Sequence, residues 1–566
     1  MEYQKICEVY HALESTTKGL EKTEILAEFL KEIRSNPELI YLLQGNIFAD
    51  YDSRELGISH QLIIKIISKT GGISEVEVVE EFKKLGDLGN VAEAVLGKKK
   101  QQMALFSSKL SVEKVLGNLQ RLPSLEGKGT VEIKIGLIVE LLHSAIPMEA
   151  KYIIRTVLSD LRIGVGSGIL RDAIVKCCFN PKDMEDKKVY SIAVQEAYDK
   201  STDFAEVFAK ACSNELKKIK LKPGKPIKVM LFPKAKDIDD AFRIVGKPAA
   251  FEYKYDGFRV MINKEENGKI KIFTRRLEEV TNQFPEIVEY VKNKVKGKSF
   301  ILDAEAVGFD AKTKKYTDFQ AVSQRIRRKY DIEEMGDKFP IELVVFDIIY
   351  FEGDNLIESP FIERRKLIKK IVREKKFKIV LAKQIVTQDV GEVEKFYEEA
   401  LGENQEGLMG KNLSAPYKPG ARVGYAVKLK PEDNDFDLVI TGAEWGTGKR
   451  AGWLTSFDVA CKDNDKLLQV GKVSTGLKEK PEEGLSFSRM TEILEKLIVK
   501  VNGVNGRKII VKPEIVVAVQ YQNIQKSPTY SSGYALRFPR ITRLREDRGV
   551  RDIATVDEIV RMVGDR

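Results

Sequence analysis

Lys254-Tyr255-Asp256-Gly257-Phe258-Arg259 is the stretch on which the reading of this chain turns. It follows an apolar, strand-like approach, Ala249-Ala250-Phe251-Glu252-Tyr253, so a lysine and an acid meet a glycine turn at a strand's end. Asp-Gly is also an ordinary turn pair with charged flanks, and six residues alone read equally well as a surface β-turn. What separates the two readings lies downstream. Further clusters of arginine, glutamate, aromatic and lysine follow at wide intervals, each on or beside a predicted strand.

Upstream of this stretch the pattern is helical. Thr23 reads as a cap for Glu24-Ile25-Leu26-Ala27-Glu28-Phe29-Leu30, and Val131, Ile135, Ile138 and Leu142 step four, three and four residues along one helix face. Glycine-bearing turns break the helices at Gly86-Asp87-Leu88-Gly89 and Arg162-Ile163-Gly164-Val165-Gly166-Ser167-Gly168. Each is either a phosphate-holding helix end or a plain junction. Lys217, Lys218, Lys220, Lys222, Lys225 and Lys228, broken by Pro223-Gly224 and Pro226, read as a linker into a new domain. Phe251–Tyr253, Val260–Ile262, Ile270–Phe273, Phe300–Leu302, Ile341–Tyr350 and Tyr425–Leu429 are then strand candidates. From about residue 432, Phe436–Thr441, Leu454–Ala460, Leu467–Val473 and Ile515–Val519 suggest a small antiparallel barrel, closed by a helix over Thr555–Val563.

At 566 residues the chain exceeds one ordinary core, and three or four domains of roughly 100–200 residues are expected. Its formal charge of +10 favours a polyanionic partner. No apolar run approaches the roughly 18–20 residues of a membrane span. Five scattered cysteines and three histidines argue against a disulfide framework, a C-x-x-C zinc site or a histidine-rich metal centre. A cytoplasmic enzyme is the expectation.

Lys254 is the nucleophile candidate. An amine attacks phosphorus only when deprotonated, and neighbouring cations promote proton loss. Lys428 and Lys430, in Ala426-Val427-Lys428-Leu429-Lys430, share one strand face roughly 7 Å apart and supply such a field, or else are that strand's wet side. Glu305, at the end of a strand in Leu302-Asp303-Ala304-Glu305, and Glu406, before Gly407, offer hard oxygens to a divalent metal, or are surface carboxylates. Phe346, in Val345-Phe346-Asp347, offers its ring to a base, or is core.

These segments, with Phe273-Thr274-Arg275-Arg276, Thr281-Asn282-Gln283-Phe284-Pro285, Glu406-Gly407-Leu408-Met409 and Lys428-Leu429-Lys430, are similar in order and interval to the signatures of the ATP-dependent DNA ligases. The resemblance is to the archaeal replicative type, related to the eukaryotic enzymes. Leu536-Arg537-Phe538-Pro539-Arg540 and Arg543-Leu544-Arg545-Glu546-Asp547-Arg548 resemble the family's distal motif, and the likeness runs through almost the whole chain.

The resemblance implies a multidomain clamp. It comprises an all-helical DNA-binding domain (1–213), an α+β nucleotidyltransferase or adenylation domain (214–430), and a β-barrel OB-fold domain with a C-terminal helix (431–566). It implies that Lys254 becomes linked to AMP, Glu252 accepts from the adenine amino group, and Arg259 binds the nucleotide sugar or phosphate. Phe346 would stack on adenine, Glu305 contact ribose and metal, and Glu406 help place metal. Arg275, Arg422, Lys428 and Lys430 would surround the phosphates, while Arg545, Asp547 and Arg548 orient departing pyrophosphate. Arg548 stands where related enzymes commonly carry lysine, and its planar fork is not equivalent to an ammonium.

The implied reaction seals a 5′-phosphate/3′-hydroxyl nick in duplex DNA through lysyl-AMP and DNA-adenylate, with ATP and Mg2+ or Mn2+. ATP is the expected nucleotide because no four-cysteine module of the bacterial NAD-dependent type is present. An RNA ligase or a capping-type guanylyltransferase shares the lysine–nucleotide step, though capping has no need of the large helical domain. A DNA-binding scaffold explains the basic surface but gives Lys254, Glu305, Glu406 and Lys428 no common task. Gln102-Met103-Ala104-Leu105-Phe106 resembles the segment by which related archaeal ligases grip a sliding clamp, and is equally an apolar anchor for a loop. Nothing demands more than a monomer.

Overall fold

Apolar residues at three- and four-residue steps wind the first part of the chain into helices that mostly bury one face, while the helix Pro147–Val157 is buried all round from Glu149 onward. In the computed structural model, which describes every residue except 53, 101–108, 128, 318, 327, 329, 432–433, 447–449, 451, 503–506 and 565–566, these are α1 (Tyr3–Glu14), α2 (Gly19–Glu32), α3 (His60–Gly71), α4 (Glu75–Leu85), α5 (Leu88–Lys100) and α6 (Val112–Arg121). They continue as α7 (Thr130–Ser144), α8 (Pro147–Val157), α9 (Ser167–Phe179), α10 (Met184–Ser201) and α11 (Phe204–Cys212). The ends are fixed locally: Ser74 and Glu77 form a reciprocal capping box on α4, and the Asp183 and Asp203 carboxylates accept from the first-turn amides of α10 and α11. One continuous apolar core, from Tyr3 to Ile219, holds the helices together. The segment Gln102–Phe106 lies outside the described residues.

Two local expectations change. Thr23 does not cap a helix, because α2 begins at Gly19, one turn earlier. Thr23 is buried inside it, its hydroxyl donating to the Gly19 carbonyl at 2.9 Å. On α7, Ile135, Ile138 and Leu142 are buried as the spacing implies, but Val131 is 47% exposed in the first turn, beyond the reach of the core. The lysine-rich stretch after α11 is packed rather than loose. Lys225 pairs with Glu206 at 3.1 Å, and Leu221 and Ile227 are buried in a cluster with Met261, Ile301 and Ile349.

The chain then alternates helices and strands: α12 (Ile238–Val245), β1 (Ala249–Lys254), β2 (Phe258–Lys264), β3 (Ile270–Thr274), α13 (Pro285–Lys294), β4 (Phe300–Gly308), α14 (Phe319–Ile326), α15 (Ile332–Lys338), β5 (Ile341–Phe351) and β6 (Asp354–Asn355). It goes on through α16 (Phe361–Ile371), β7 (Ile379–Leu381), β8 (Gln384–Thr387), α17 (Val390–Gly402), β9 (Gly407–Asn412) and β10 (Ala426–Leu429). One sheet runs β10-β9-β1-β8. A second runs β3-β2-β4-β5-β6, with β7 parallel to β5. Phe251, Tyr253, Leu408 and Val427 from the first sheet and Val307 and Val344 from the second share one buried cluster, which locks the sheets together. Residues Met1–Lys430 form one unit.

Pro431–Arg566 form the other unit. It holds β11 (Asn434–Trp445), β12 (Leu454–Asp463), β13 (Lys466–Val473), α18 (Phe487–Glu495), β14 (Ile498–Asn502), β15 (Lys508–Val511), β16 (Val516–Tyr521), β17 (Asn523–Lys526), β18 (Tyr534–Arg537), β19 (Arg540–Leu544) and α19 (Val556–Gly564). Seven strands make an antiparallel sheet, β13-β12-β11-β15-β14 with β16 joining β11 to β19. Its apolar face packs with α18 and α19 around Leu438, Phe457, Val459 and Met490. No described helix is long and apolar enough to cross a membrane.

Candidate active site

Strand register brings the scattered candidates together. Lys254, the last residue of β1, lies opposite Gly407 of β9, and the Lys254 carbonyl accepts the Glu406 amide at 2.8 Å. On the other flank of β9, Lys428 pairs with Met409 and Leu429 with Leu408. In the second sheet Arg259 lies opposite Glu305.

Two glycines allow these approaches. A Cβ on Gly257 would stand 2.4 Å from the Ala306 carbonyl oxygen and 3.0 Å from the Glu305 side chain, so only a bare backbone lets the turn after Lys254 close onto β4. Gly407 has φ of +130°, and a Cβ there would stand 2.2 Å from the Leu429 carbonyl oxygen. A third device places Phe346. Ala304 pairs with Val345 and Asp303 with Asp347, leaving Phe346 as the extra residue of a β-bulge. Bulges re-aim side chains, and this ring leans out between the Arg259 guanidinium, 5.4 Å from its centroid, and the Lys254-side sheet's Lys411, 4.7 Å away.

The Lys254 ammonium is 2.6 Å from Glu406 Oε2, and Lys430 pairs with the same oxygen. Both Lys254 and Glu406 side chains retain 19% exposure. Burial alone would raise the Glu406 carboxyl, but Lys254 and Lys430 outweigh it and hold the group down at about 2. Glu305 has the opposite fate. Burial pushes it up to about 8, with Lys254 and Arg259 opposing and Glu406 and Asp303 assisting. Glu305 is not at a strand end, as the sequence suggested. It sits inside β4, which runs on to Gly308 because Ala306 and Val307 are buried and paired to β5.

Lys428 is lowered to about 8 by burial, then by Lys254, Arg275, Lys430 and Arg422. Those four cations thus converge on one amine, although Arg275 follows β3 and Arg422 lies in the exposed loop before β10. Lys430 is lowered for the same reasons, burial first and Lys254 second. Five cations therefore crowd this part of the pocket, where Glu406 is ion-paired and Glu305, among the described residues, is not. Such a surplus of positive charge suits an anion of several charges.

Other candidates are already engaged by protein groups. Arg259 donates to both Asp303 oxygens and, through Nη1, to the Met230 carbonyl at 2.8 Å. Glu252, 2% exposed, accepts from Gln384 at 2.8 Å, pairs with Lys411 at 2.5 Å and lies 3.5 Å from Arg365. Sequence reasoning gave no role to Asp303, Gln384, Arg365 or Lys411. For Asp303 a signal existed: an acid inside the apolar run Ile301-Leu302-Asp303-Ala304 must be buried, and a buried charge needs a partner. Phe346 and Arg259, with Phe232, Phe361, Tyr417 and Lys411, line a concavity open to solvent.

Arg545, Asp547 and Arg548 form their own cluster in the unit 431–566. Asp437 of β11 pairs with Arg545 at 2.8 Å and with Arg548 at 2.9 Å, and Arg545 also holds Asp547 at 2.8 Å. That hydrogen bond from Arg545 keeps the Asp547 carboxyl down at about 2.

Comparison with known proteins covers the whole length. The chain matches the family models for the DNA ligase N terminus over residues 2–175, the ATP dependent DNA ligase domain over 229–430 and the ATP dependent DNA ligase C terminal region over 450–548. It is 46% identical to a DNA ligase of Nanoarchaeum equitans, across 99% of this chain and 98% of that protein. It is 41% identical to a DNA ligase of Thermococcus fumicolans, across 100% and 98%. Among solved structures, that named Pmar-Lig_PreS3 shares the fold with a TM-score of 0.57 at 16% identity, covering 95% of this chain and 99% of that one.

Proposed function

This chain belongs to the ATP-dependent DNA ligases, and from that premise we propose that Lys254 is the residue on which it carries AMP. The activity of the family, sealing 5′-phosphate/3′-hydroxyl nicks in duplex DNA at the expense of ATP, is the activity of this protein. Its full-length likeness to archaeal DNA ligases sets aside the RNA ligase, capping and scaffold readings.

The observation that carries the assignment is the Lys254–Glu406 pair at 2.6 Å, set within a surplus of positive charge. The reaction begins when the Lys254 amine, freed of its proton and of Glu406, attacks the α-phosphate of ATP. The bond from that phosphorus to the bridging oxygen breaks and pyrophosphate leaves. The amine's proton goes to solvent or to a pocket carboxylate, and the product is a phosphoramidate. Lys428 and Lys430, with Arg275 and Arg422, hold the phosphates and stabilise charge on the leaving oxygen. Next the 5′-phosphate of the nick attacks the AMP phosphorus and restores Lys254. The 3′-hydroxyl then attacks the activated 5′-phosphate and expels AMP, an in-line step that depends on how rigidly both ends are held.

Glu305 and Glu406 suit a divalent ion such as Mg2+. The Glu305 carboxyl makes no hydrogen bond or ion pair among the described residues and is pushed up by burial, and a hard cation beside it would favour its charged form. One or two carboxylates and the substrate's own phosphates would suffice to hold such an ion. Such an ion shields phosphate charge when bound. Phe346 provides an adenine face and Glu252 an acceptor, once its ties to Gln384 and Lys411 are shared with the base.

The remaining assignments belong to the same reading. Residues 1–213 hold duplex DNA, 214–430 perform nucleotidyl transfer, and 431–566 form an OB-fold that presents Arg545, Asp547 and Arg548 to departing pyrophosphate. The seven-stranded antiparallel sheet of 431–566 supports the last of these. A monomer, a cytoplasmic location and a sliding-clamp contact through Gln102–Phe106 complete it. Labelled ATP and GTP, followed by denaturing electrophoresis and a chase onto nicked DNA, test the chemistry. Covalent label from ATP alone, passing to the nick and absent in Lys254→Ala, is the expected result. Label retained in that variant overturns the assignment.

A further inference from the structure

Five cysteines scattered at positions 7, 177, 178, 212 and 461 gave no sign of a pair. Folding gathers three of them. Cys178, near the end of α9, and Cys212, the last residue of α11, have their sulfurs 2.6 Å apart. Cys212 is exposed and Cys178 half-buried, so small reagents reach the pair, whereas Cys7 and Cys461 are buried elsewhere. Cys177 lies alongside. Arg34 donates to its carbonyl at 2.8 Å and reaches its sulfur at 3.7 Å, which puts a guanidinium beside the cluster. That cation favours the thiolate of Cys177, whereas contact with Cys177 and burial hold Cys178 and Cys212 up, so the Cys212 thiolate that attacks peroxides and disulfides grows as pH rises. A disulfide bond is about 2.05 Å long, so closing this pair requires only a shift of about half an ångström.

We propose that Cys178 and Cys212 are a reversible oxidation site that staples α9 to α11. With a hydroperoxide as oxidant, the Cys212 sulfur attacks the distal peroxide oxygen and the O–O bond breaks. The departing oxygen leaves as water or alcohol and Cys212 becomes a sulfenic acid. The Cys178 sulfur then attacks the Cys212 sulfur, and the S–O bond breaks with release of water. The two thiols lose two electrons and two protons, and the peroxide oxygens accept them. The closed loop contains all of α10 and ties the chain ahead of the lysine-rich stretch back to the helical core. A low-molecular-weight thiol reverses the bond by exchange.

The site is independent of the nucleotide chemistry, and its test uses the full-length chain. Protein reduced and desalted is treated with hydrogen peroxide at about stoichiometric concentration. Free thiols are then counted under denaturing conditions, and the linked peptides are mapped by mass. The expected result is a fall from five titratable thiols to three, a mass loss of about 2 Da, a Cys178–Cys212 linked peptide, and full recovery with dithiothreitol. The oxidised form should melt roughly 5–10 °C above the reduced form and resist proteolysis within α10. Cys178→Ser and Cys212→Ser should each retain four thiols in the same treatment and show no rise, while Cys7→Ser and Cys461→Ser still form the bond. Five thiols surviving in the parent, or a linked peptide joining Cys177 to Cys212 instead, overturns the proposal. So does stable over-oxidation of Cys212 with Cys178 untouched.

Discussion

Two regions of this molecule bury charge, and they do so to opposite ends. Among the helices, Arg155 of α8 is 3% exposed, pairs with Glu14 at 3.1 Å and lies 3.3 Å from Asp87. Asp87 also takes Arg162 at 2.9 Å, and Lys151 takes Glu14 at 3.0 Å and Glu93 at 3.8 Å. Arg162 holds Asp160 too, at 2.7 Å, so three cations meet four carboxylates and the network closes. It clamps the two glycine-bearing turns, at Gly86–Gly89 and Arg162–Gly168, against each other. Burial would raise Glu14, but Arg155 and Lys151 hold it at about 2. Between the sheets, Lys254 and Lys430 share Glu406, Lys428 sits in the field of Arg275 and Arg422 as well, and Glu305 stays unpaired among the described residues. A closed network positions backbone. An open one is complete only when substrate arrives, and this difference separates scaffold from chemistry more sharply than burial does.

Four experiments break or sharpen that contrast. Lys254→Ala removes the nitrogen proposed to attack ATP, so formation of enzyme–AMP from labelled ATP should fall by about 10⁴-fold or more, while DNA already carrying a 5′-adenylate is still sealed. Its thermal midpoint should barely move, because an open network loses little when one excess cation goes. Arg155→Ala should do the reverse. Leaving Glu14 and Asp87 without their shared cation destabilises the fold by about 3–5 kcal/mol in a urea melt, with self-adenylation per folded molecule preserved. Equal activity losses in both variants would erase the distinction.

Glu305→Gln lies between them. Glu305 binds its proton more tightly folded than unfolded, so its ionisation removes stability as pH rises from about 4.5 through about 8. The glutamine variant lacks that slope. Without nucleotide or metal it should gain on the parent by on the order of 1–3 kcal/mol between pH 5 and pH 8, less than full linkage because the side chain keeps solvent contact. Enzyme–AMP formation should slow about a hundredfold. Parallel pH–stability curves would remove Glu305 from the open network. Smallest is Arg548→Ala. Arg548 is 43% exposed at the side chain and its Asp437 partner keeps Arg545, so enzyme–AMP formation should slow about tenfold and sealing of pre-adenylated DNA less. Single-turnover rates of the two steps decide it, and a larger defect in sealing reverses the assignment.

Much of this was legible in the chain. Helical periodicity located α7, apolar strand-like runs located β1 to β5, β11 to β13 and β16, and period-two alternation placed Lys428 and Lys430 on one face of β10. What escaped has physical reasons. β9 carries Gly407 and Gly410, residues of low strand propensity, yet it is the central strand that joins Lys254 to Lys428. Glu305 read as a strand end because Ala306-Val307-Gly308 is too weak a continuation without its partners on β5. The grip of Gln384, Arg365 and Lys411 on Glu252 spans more than a hundred residues, and no local pattern carries it. Cys178 and Cys212 escaped for the same reason.

If AMP is carried on Lys254, as proposed, breaking its pair with Glu406 also makes the enzyme its own charge meter. A free Lys254 contributes one positive charge. A phosphoramidate-linked AMP removes that charge and adds one negative, so the formal net of +10 becomes +8. Glu406 then answers to Lys430 alone. Loaded and unloaded molecules therefore separate by isoelectric focusing without any label, and the loaded fraction in a preparation can be read from two bands.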